Sequence, residues 1–436
     1  MIPRITWDFA RFTIPVTTLV LLFLSQRYWL RRGRELSSRF ARPAAQRLAR
    51  IACAAALTIL LVIVVNDSLG RYAPLPRLRL LAELAWLWFS SALMAYIAIQ
   101  AVHILAWLWN RAFPQRPARS PNAGANLARR RFVQTATVIA GAAPFAGFAY
   151  GFAVERWRFQ VREQTLALET LPLELDGLRI AQLSDIHIGS FMPAREVRRA
   201  VGMANELRAD LTVVTGDFLT EAGDPLEACI AELGQLRAPL GVWGCNGNHE
   251  IYAKAEALSA QLFSQYGMKL LRQERAEIRF NGRAFHLIGV DYQRERNPDG
   301  TRRRALTEIE SLIGPNMFHI LLSHNPNSFL RAAELGIDLS LAGHTHGGQI
   351  RVEILDADVS PARFFTPYIE GQYRRPLFAP STATDFDLRT GASPHAAAPP
   401  APGSLLYVNR GLGTIGAPVR LGVPPEITLH TLRRAV

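Results

Sequence analysis

Long apolar runs occupy the first third of the chain, and short ones occupy the rest. Residues 12–26, 51–65, 80–109 and 133–154 approach the ~20 consecutive apolar residues that a membrane-crossing helix needs. They are apolar on every face and alternate with arginine-dense loops. The pattern predicts an all-α transmembrane region of about four helices over residues 1–154, rather than a buried helical bundle. From about Leu171 the spacing changes. Strands are expected at 178–182, 211–215, 241–244, 320–322, 337–341 and 405–408. Helical periodicity marks 193–208, 225–236, 254–266 and 326–335, the first two opening with Pro as helices commonly do. Asn281-Gly282, between Ile278-Arg279-Phe280 and Ala284-Phe285-His286, is the signature of a tight hairpin. Strands alternating with helices predict an α/β layered domain over 155–436 with functional side chains at strand ends. Residues 382–404, rich in Ala and Pro, read as a disordered insertion that leaves His395 in solvent.

Charge sharpens this division. The chain of 436 residues carries a formal net charge of +13. Residues 1–154 hold 19 Arg and 4 acidic residues, a net of +15, while 155–436 hold 30 Lys+Arg and 32 Asp+Glu, a net of −2. The basicity belongs to the membrane region, so no nucleic-acid partner is expected for the larger domain. Between the first and second runs lie Arg27, Arg31, Arg32, Arg34, Arg39, Arg42, Arg47 and Arg50. Between the third and fourth lie Arg111, Arg116, Arg119, Arg129, Arg130 and Arg131. The positive-inside rule holds both loops in the cytoplasm, so the multi-pass anchor in the inner membrane delivers the following domain to the extracytoplasmic side. Arg129-Arg130-Arg131-Phe132-Val133-Gln134 also has the look of a twin-arginine export signal, which leads to the same side. Cys53, Cys229 and Cys245 form neither a disulfide framework nor a thiolate metal motif.

The chemistry gathers where strands end. Leu183-Ser184-Asp185-Ile186-His187 places a carboxylate and an imidazole two residues apart, and so on one side of an extended segment. Thr215-Gly216-Asp217-Phe218, Gly247-Asn248-His249-Glu250, Ser323-His324-Asn325-Pro326 and Gly343-His344-Thr345-His346-Gly347-Gly348 each follow an expected strand. Asp185, His187, Asp217, Asn248, His324, His344 and His346 offer seven donors, too many for one tetrahedral zinc. They suit two metals sharing a carboxylate, and the lack of thiolate leaves manganese, iron or zinc open. His103, His286, His319 and His430 lie outside these clusters and read as structural or surface residues. Core packing is the expectation for Phe364-Phe365-Thr366-Pro367-Tyr368.

In order and spacing, the five clusters resemble those of the calcineurin-like metallophosphoesterases. The resemblance spans about residues 178–348. Asn409-Arg410-Gly411-Leu412-Gly413-Thr414 and Pro424-Pro425-Glu426-Ile427 are weaker matches to membrane-attached bacterial members. It implies an αββα sandwich holding two divalent metal ions. Asp185, His187 and His346 would bind one, and Asn248, His324 and His344 the other, with Asp217 bridging. A hydroxide between the metals would attack phosphorus while His249, bound to no metal, assists the leaving oxygen. Glu250 stands where the family often has Asp and is expected to orient His249. Arg410 is expected to offer a forked donor to the substrate phosphate.

The resulting expectation is a membrane-anchored, metal-dependent phosphoesterase, preferably a phosphodiesterase, working outside the cytoplasm. Membrane lipids would be its neighbours, and its substrate a phosphate ester that could itself be lipid-linked. The rival enzyme is a cytoplasm-facing pyrophosphatase of a lipid-linked UDP-sugar such as UDP-diacylglucosamine, against which the outward topology argues. A non-catalytic membrane sensor or scaffold is the rival of another class. The full donor set argues against it.

Overall fold

A computed structural model describes residues 5–69, 79–113, 123–189, 191–293, 305–307, 309–354, 357–360, 362, 366–377 and 403–435. The insertion expected at 382–404 lies outside these residues as far as 402, as do Phe364 and Phe365. Two compact units make up the chain: Met1–Phe152 with Gly416–Pro418, and Ala153–Ile415 with Val419–Val436.

The first unit contains helices α1 (Ile5–Ser37), α2 (Pro43–Leu69), α3 (Arg79–Ala112) and α4 (Ala123–Ala153). Among the described residues, three stretches, Pro43–Val65, Leu81–Ala112 and Leu127–Trp157, are long and apolar enough to cross a membrane. Their outer faces expose Leu61, Val62, Ile104, Leu105, Val138 and Ile139, as suits helices solvated by lipid. Polar side chains join helices on the inside. Ser25 Oγ and Trp29 Nε1 both donate to the Ala92 carbonyl at 3.0 Å, and Trp88 Nε1 donates to Gln26 Oε1 at 3.2 Å.

The second unit is an α/β domain of two mixed six-stranded sheets. Its strands are β1 (Gln160–Leu168), β2 (Arg179–Leu183), β3 (Leu211–Thr215), β4 (Val242–Cys245), β5 (Lys269–Leu270), β6 (Glu274–Phe280) and β7 (Arg283–Val290). They continue with β8 (His319–Ser323), β9 (Leu339–Ala342), the small hairpin β10 (Val352–Ile354) and β11 (Ala357–Val359), β12 (Gly371–Pro376), β13 (Gly403–Val408) and β14 (Glu426–Arg434). One sheet has the order β1-β14-β2-β3-β4-β5, with β2 to β5 parallel. The other runs β12-β13-β9-β8-β7-β6, with β7, β8, β9 and β13 parallel. Asn281 and Gly282 join β6 to β7, both with positive φ (48° and 82°), as a two-residue hairpin of this type requires.

Between the sheets lies a core of Leu178, Ile180, Leu211, Val213, Leu287, Ile320, Leu322, Leu339, Leu341 and Leu405. Helices α5 (Ala194–Glu206), α6 (Leu226–Leu233), α7 (Asn248–Ala253) and α8 (Glu256–Gln265) belong to the β2–β5 half. Val197, Val201, Ile230, Leu233, Leu262 and Phe263 cover the outer face of that sheet. Helix α9 (Phe329–Glu334) supplies Phe329 and Ala332 to the outer face of the other. The helix expected at 254–266 begins later, because α7 closes on Lys254 in the left-handed region (φ 56°). Tyr368 packs edge-on against Phe329 and Tyr373, an apolar setting in keeping with a core residue. The parallel runs β2-β3-β4 and β8-β9-β13 both end at the same rim, where the αββα sandwich concentrates its polar side chains.

Candidate metal centre

Five residues at this rim carry backbone conformations that L-residues seldom adopt. Asp185 (φ 49°), His187 (50°), Asp217 (54°), His344 (77°) and His346 (53°) all lie in the left-handed region, at a cost of order 1–3 kcal/mol each. Neighbouring backbone holds them there. Asp185 N–H donates to the Gly216 carbonyl (3.1 Å) and His187 N–H to the Asp217 carbonyl (2.9 Å), so the turns after β2 and β3 brace each other. His344 N–H donates to both oxygens of Asp185 (3.0 and 3.1 Å), linking the two sheets at the point where their side chains meet.

The donors converge as a result. His187 Nε2 faces His346 Nε2 at 3.1 Å, and His346 Nε2 lies 3.3 Å from Asp185 Oδ1. Asp217 Oδ2 stands 3.5 Å from His187 Nε2 on one side and 3.0 Å from His324 Nε2 on the other. Asn248 Oδ1 accepts from His344 Nδ1 at 2.8 Å. Two groups whose donor atoms lie within 4.8 Å of one another follow: Asp185, His187 and His346, and Asp217, His324 and His344. A third group of the same kind, His187, Asp217 and His249, overlaps both. Asp185, His187, Asp217, Asn248, His324 and His346 are buried; His344 and His249 are half-buried. Every residue expected at the metals is therefore at this one rim.

Charge and tautomer fit a cation here. His324 Nδ1 donates to the Thr215 carbonyl at 2.6 Å, which turns Nε2 toward the cluster. That buried Nε2 faces Asp217 Oδ2 at 3.0 Å. Burial opposes a charge on His324, yet Asp217 and Asp185 raise its pKa to about 10. Burial alike opposes a charge on Asp217, but His324 and His249 hold its carboxyl well below the ordinary range. Burial raises Asp185 to about 6 against the pull of His324. Burial, with the nearby His249, drops His187 to about 3. Burial, with His324, drops His344 to about 4. His346 is lowered too, by burial and then by His187. Without metal, His324 thus stays an imidazolium between the carboxylates of Asp217 and Asp185. Neutral imidazoles and carboxylates around a place that demands positive charge are what a divalent ion requires.

The supporting groups differ from expectation in two places. Glu250 does not orient His249. Its buried carboxylate instead accepts from the backbone N–H groups of Asp217 (2.9 Å), Phe218 (2.8 Å), Leu219 (3.3 Å) and Gly247 (2.7 Å). His249 is oriented by Thr220, whose carbonyl accepts from Nδ1 and leaves Nε2 free for proton transfer. The Thr220 hydroxyl also lies 3.4 Å from His187 Nδ1. Arg410 sits beside the cluster, but its fork is engaged by Glu370, with Nε 2.5 Å from Oε2 and Nη2 2.9 Å from Oε1.

Sequence reasoning passed over Arg420. It is wholly buried, and its guanidinium donates to the carbonyls of Arg410 (2.9 Å), Gly411 (3.0 Å), Gly413 (2.6 Å) and Val423 (3.3 Å). Its Nη2 is also 3.4 Å from His346 Nδ1. The loop it grips lies on the first donor turn: Leu412 N–H donates to the Ser184 carbonyl (3.0 Å) and Gly413 N–H to the Asp185 carbonyl (2.7 Å). Gly411 is required there. Its φ is +69°, and a Cβ would come 2.5 Å from the Asp185 Cβ. The buried charge was a signal available in the sequence only as one more arginine near the C-terminus.

Comparison with known proteins places this arrangement. Residues 178–348 match the family model described as calcineurin-like phosphoesterase. The chain is 29% identical over 315 residues to the uncharacterized metallophosphoesterase YkuE of Bacillus subtilis (strain 168), which covers 70% of this chain and 98% of that protein. It is 27% identical over 310 residues to the phosphodiesterase YaeI of Escherichia coli (strain K12), covering 70% and 99%. A transmembrane protein with metallophosphoesterase domain from Danio rerio is 27% identical over 338 residues, covering 73% of this chain and 67% of its own length.

Proposed function

This chain belongs to the calcineurin-like metallophosphoesterases, and we propose that it hydrolyses phosphodiesters with two divalent metal ions in a domain held outside the cytoplasm. Membrane association and metal-dependent phosphoester hydrolysis are the premises; the rest is our reading. In it, Asp185, His187 and His346 hold one ion, Asn248, His324 and His344 the other, and Asp217 spans both. The observation that carries the reading is the position of Asp217 Oδ2, between His187 Nε2 at 3.5 Å and His324 Nε2 at 3.0 Å.

Bound ions would neutralise phosphoryl charge and generate a nucleophile from water at neutral pH. The chain's own residues supply the remainder. Asp185 and Asp217 provide the negative charge that recruits the ions. His249, fixed by the Thr220 carbonyl, presents Nε2 to the leaving oxygen and donates a proton as the P–O bond breaks. The braced left-handed turns keep all donors in one geometry before substrate arrives. Arg410, tied to Glu370, acts as a support beside the cluster in this reading. A diester, with one negative charge to neutralise, is favoured by the name and 27% identity of the Escherichia coli relative. Manganese, iron and zinc all remain compatible with a nitrogen and oxygen donor set.

The outward orientation rests on the arginine-rich loops alone. A reporter fused after Val436 tests it: activity of an extracytoplasmic reporter supports the proposal, and a cytoplasmic signal would move the domain to the other face. A screen of diesters, monoesters and pyrophosphates across the three metals tests the reaction. Diester turnover is expected to lead, and inertness toward all three classes would remove it.

A further inference from the structure

We infer that Asp224 is a positioning residue for His249 and acts through the peptide bond between Thr220 and Glu221. The inference rests on the proposed role of His249 as proton donor to the leaving oxygen. Asp224 Oδ2 accepts from Thr220 N–H at 3.0 Å and from Glu221 N–H at 2.9 Å. The Glu221 N–H belongs to the same planar trans amide as the Thr220 carbonyl, and the two point in opposite directions. Asp224 therefore grips one edge of that amide, and the other edge accepts from His249 Nδ1.

Both ends of the arrangement are anchored. Ile188 N–H donates to the Phe218 carbonyl at 2.8 Å and Leu219 bridges to Ile188, so the chain reaches Thr220 already tied to the Asp185–His187 turn. The Asp224 carboxylate lies against Gly189 (φ +153°), where a Cβ would come 2.8 Å from Oδ1. At the far end, His249 N–H donates to Asp217 Oδ1 at 2.9 Å. A carboxylate on the N–H edge polarises the amide and strengthens its carbonyl as an acceptor. That holds the proton on Nδ1 and steadies the positive charge of the imidazolium. When the P–O bond breaks, the Nε2 proton passes to the leaving oxygen, and the imidazole is left neutral with Nδ1–H still on Thr220. No proton moves to Asp224. Without its carboxylate the amide can turn, and the imidazole loses its fixed acceptor. The Asp217 turn keeps its own support from Glu250.

The test uses full-length protein in detergent micelles, loaded with manganese, and measures kcat for methyl phenyl phosphate and methyl para-nitrophenyl phosphate. Phenolate is much the stronger base of the two leaving groups, so its departure depends more on a donated proton. Asp224→Ala should lower kcat for the phenyl ester by about tenfold to a hundredfold and for the nitrophenyl ester by no more than about twofold, with metal content unchanged. Asp224→Asn, which keeps an acceptor without the charge, should fall between wild type and Asp224→Ala on the phenyl ester. In a His249→Ala background, Asp224→Ala should cost no more than about twofold further. Equal losses with both esters, no loss with either, or a full second loss in the His249→Ala background overturns the inference. A leaving-group-dependent loss in His249→Ala that Asp224→Ala does not share sinks this inference alone. Equal losses with both esters in His249→Ala would sink the acid role of His249, and inertness of the wild type would sink the esterase reading; either takes this inference with it.

Discussion

The carboxylate of Glu250 accepts the backbone N–H of Asp217 at 2.9 Å, although 33 residues separate them in sequence. With three further N–H groups on the same carboxylate, this contact is what keeps the Asp217 turn in its left-handed form. Burial, and then the neighbouring Asp217, raise the Glu250 pKa to about 7. Four donors aimed at one carboxyl group leave no room for a substituent that donates.

Glu250→Ala should therefore strand several buried N–H groups. Each orphaned group costs about 1–3 kcal/mol, so the phosphoesterase unfolding transition should move to clearly lower temperature. Glu250→Gln should fall between, since its amide keeps one acceptor and adds an opposing donor. Thermal unfolding of the full chain checks the order; a Glu250→Ala protein that melts with wild type would remove the clamp from the account.

His249→Ala should lower diester turnover by about 10²–10⁴ while leaving metal content unchanged. The alternative is built into the geometry, because donor atoms of His249, His187 and Asp217 lie within 4.8 Å of one another, close enough to share an ion. Metal analysis of the purified variant separates the two roles. Loss of an ion would make His249 a ligand rather than a proton donor.

Metal uptake should release a proton. In the metal-free protein His324 is raised to about 10 by Asp217 and Asp185 despite burial, so it is charged at pH 7 and must lose that proton to bind an ion. Affinity should accordingly rise with pH, by about tenfold per unit while one proton is released, and level off as pH approaches 10. Calorimetry in buffers of different ionisation enthalpy counts the proton. A pH-independent affinity would contradict the charge arrangement.

Arg420→Met should leave four loop carbonyls without their donor and loosen the 410–413 loop that rests on Asp185. The Asp185, His187 and His346 group should then hold its ion less tightly than the Asp217, His324 and His344 group. Arg420→Lys should recover part of the loss, because one ammonium replaces one arm of a fork. Stepwise chelation followed by metal analysis reads this out; equal weakening of both ions would make Arg420 a general stabilising residue.

Much of this was legible along the chain because the chemistry is local. Each donor cluster directly follows a short apolar strand, and Gly216, Gly247, Gly343 and Gly347 mark the turns that expose the side chains. The Asn281-Gly282 hairpin is equally local, since two adjacent residues with positive φ determine it. What escaped is long-range. Strand β1 alternates weakly, from Gln160 to Thr165 only half buried or exposed, and its partner is β14, more than 260 residues away. Arg420 looks like a surface residue until the fold closes carbonyls around it. Glu250 leaves its expected role to Thr220 for a similar reason. Adjacency in sequence pointed Glu250 at His249, whereas helix geometry points it back at the turn it caps.

Metal titration of stripped, full-length protein, with diester hydrolysis read at each step, tests the central claim most directly. Asp217 and the six donors around it predict that turnover rises until two equivalents of manganese, iron or zinc are bound and then saturates, and that Asp217→Ala abolishes the second increment. Saturation at one equivalent, or full turnover in the Asp217→Ala protein, would contradict a shared carboxylate between two ions.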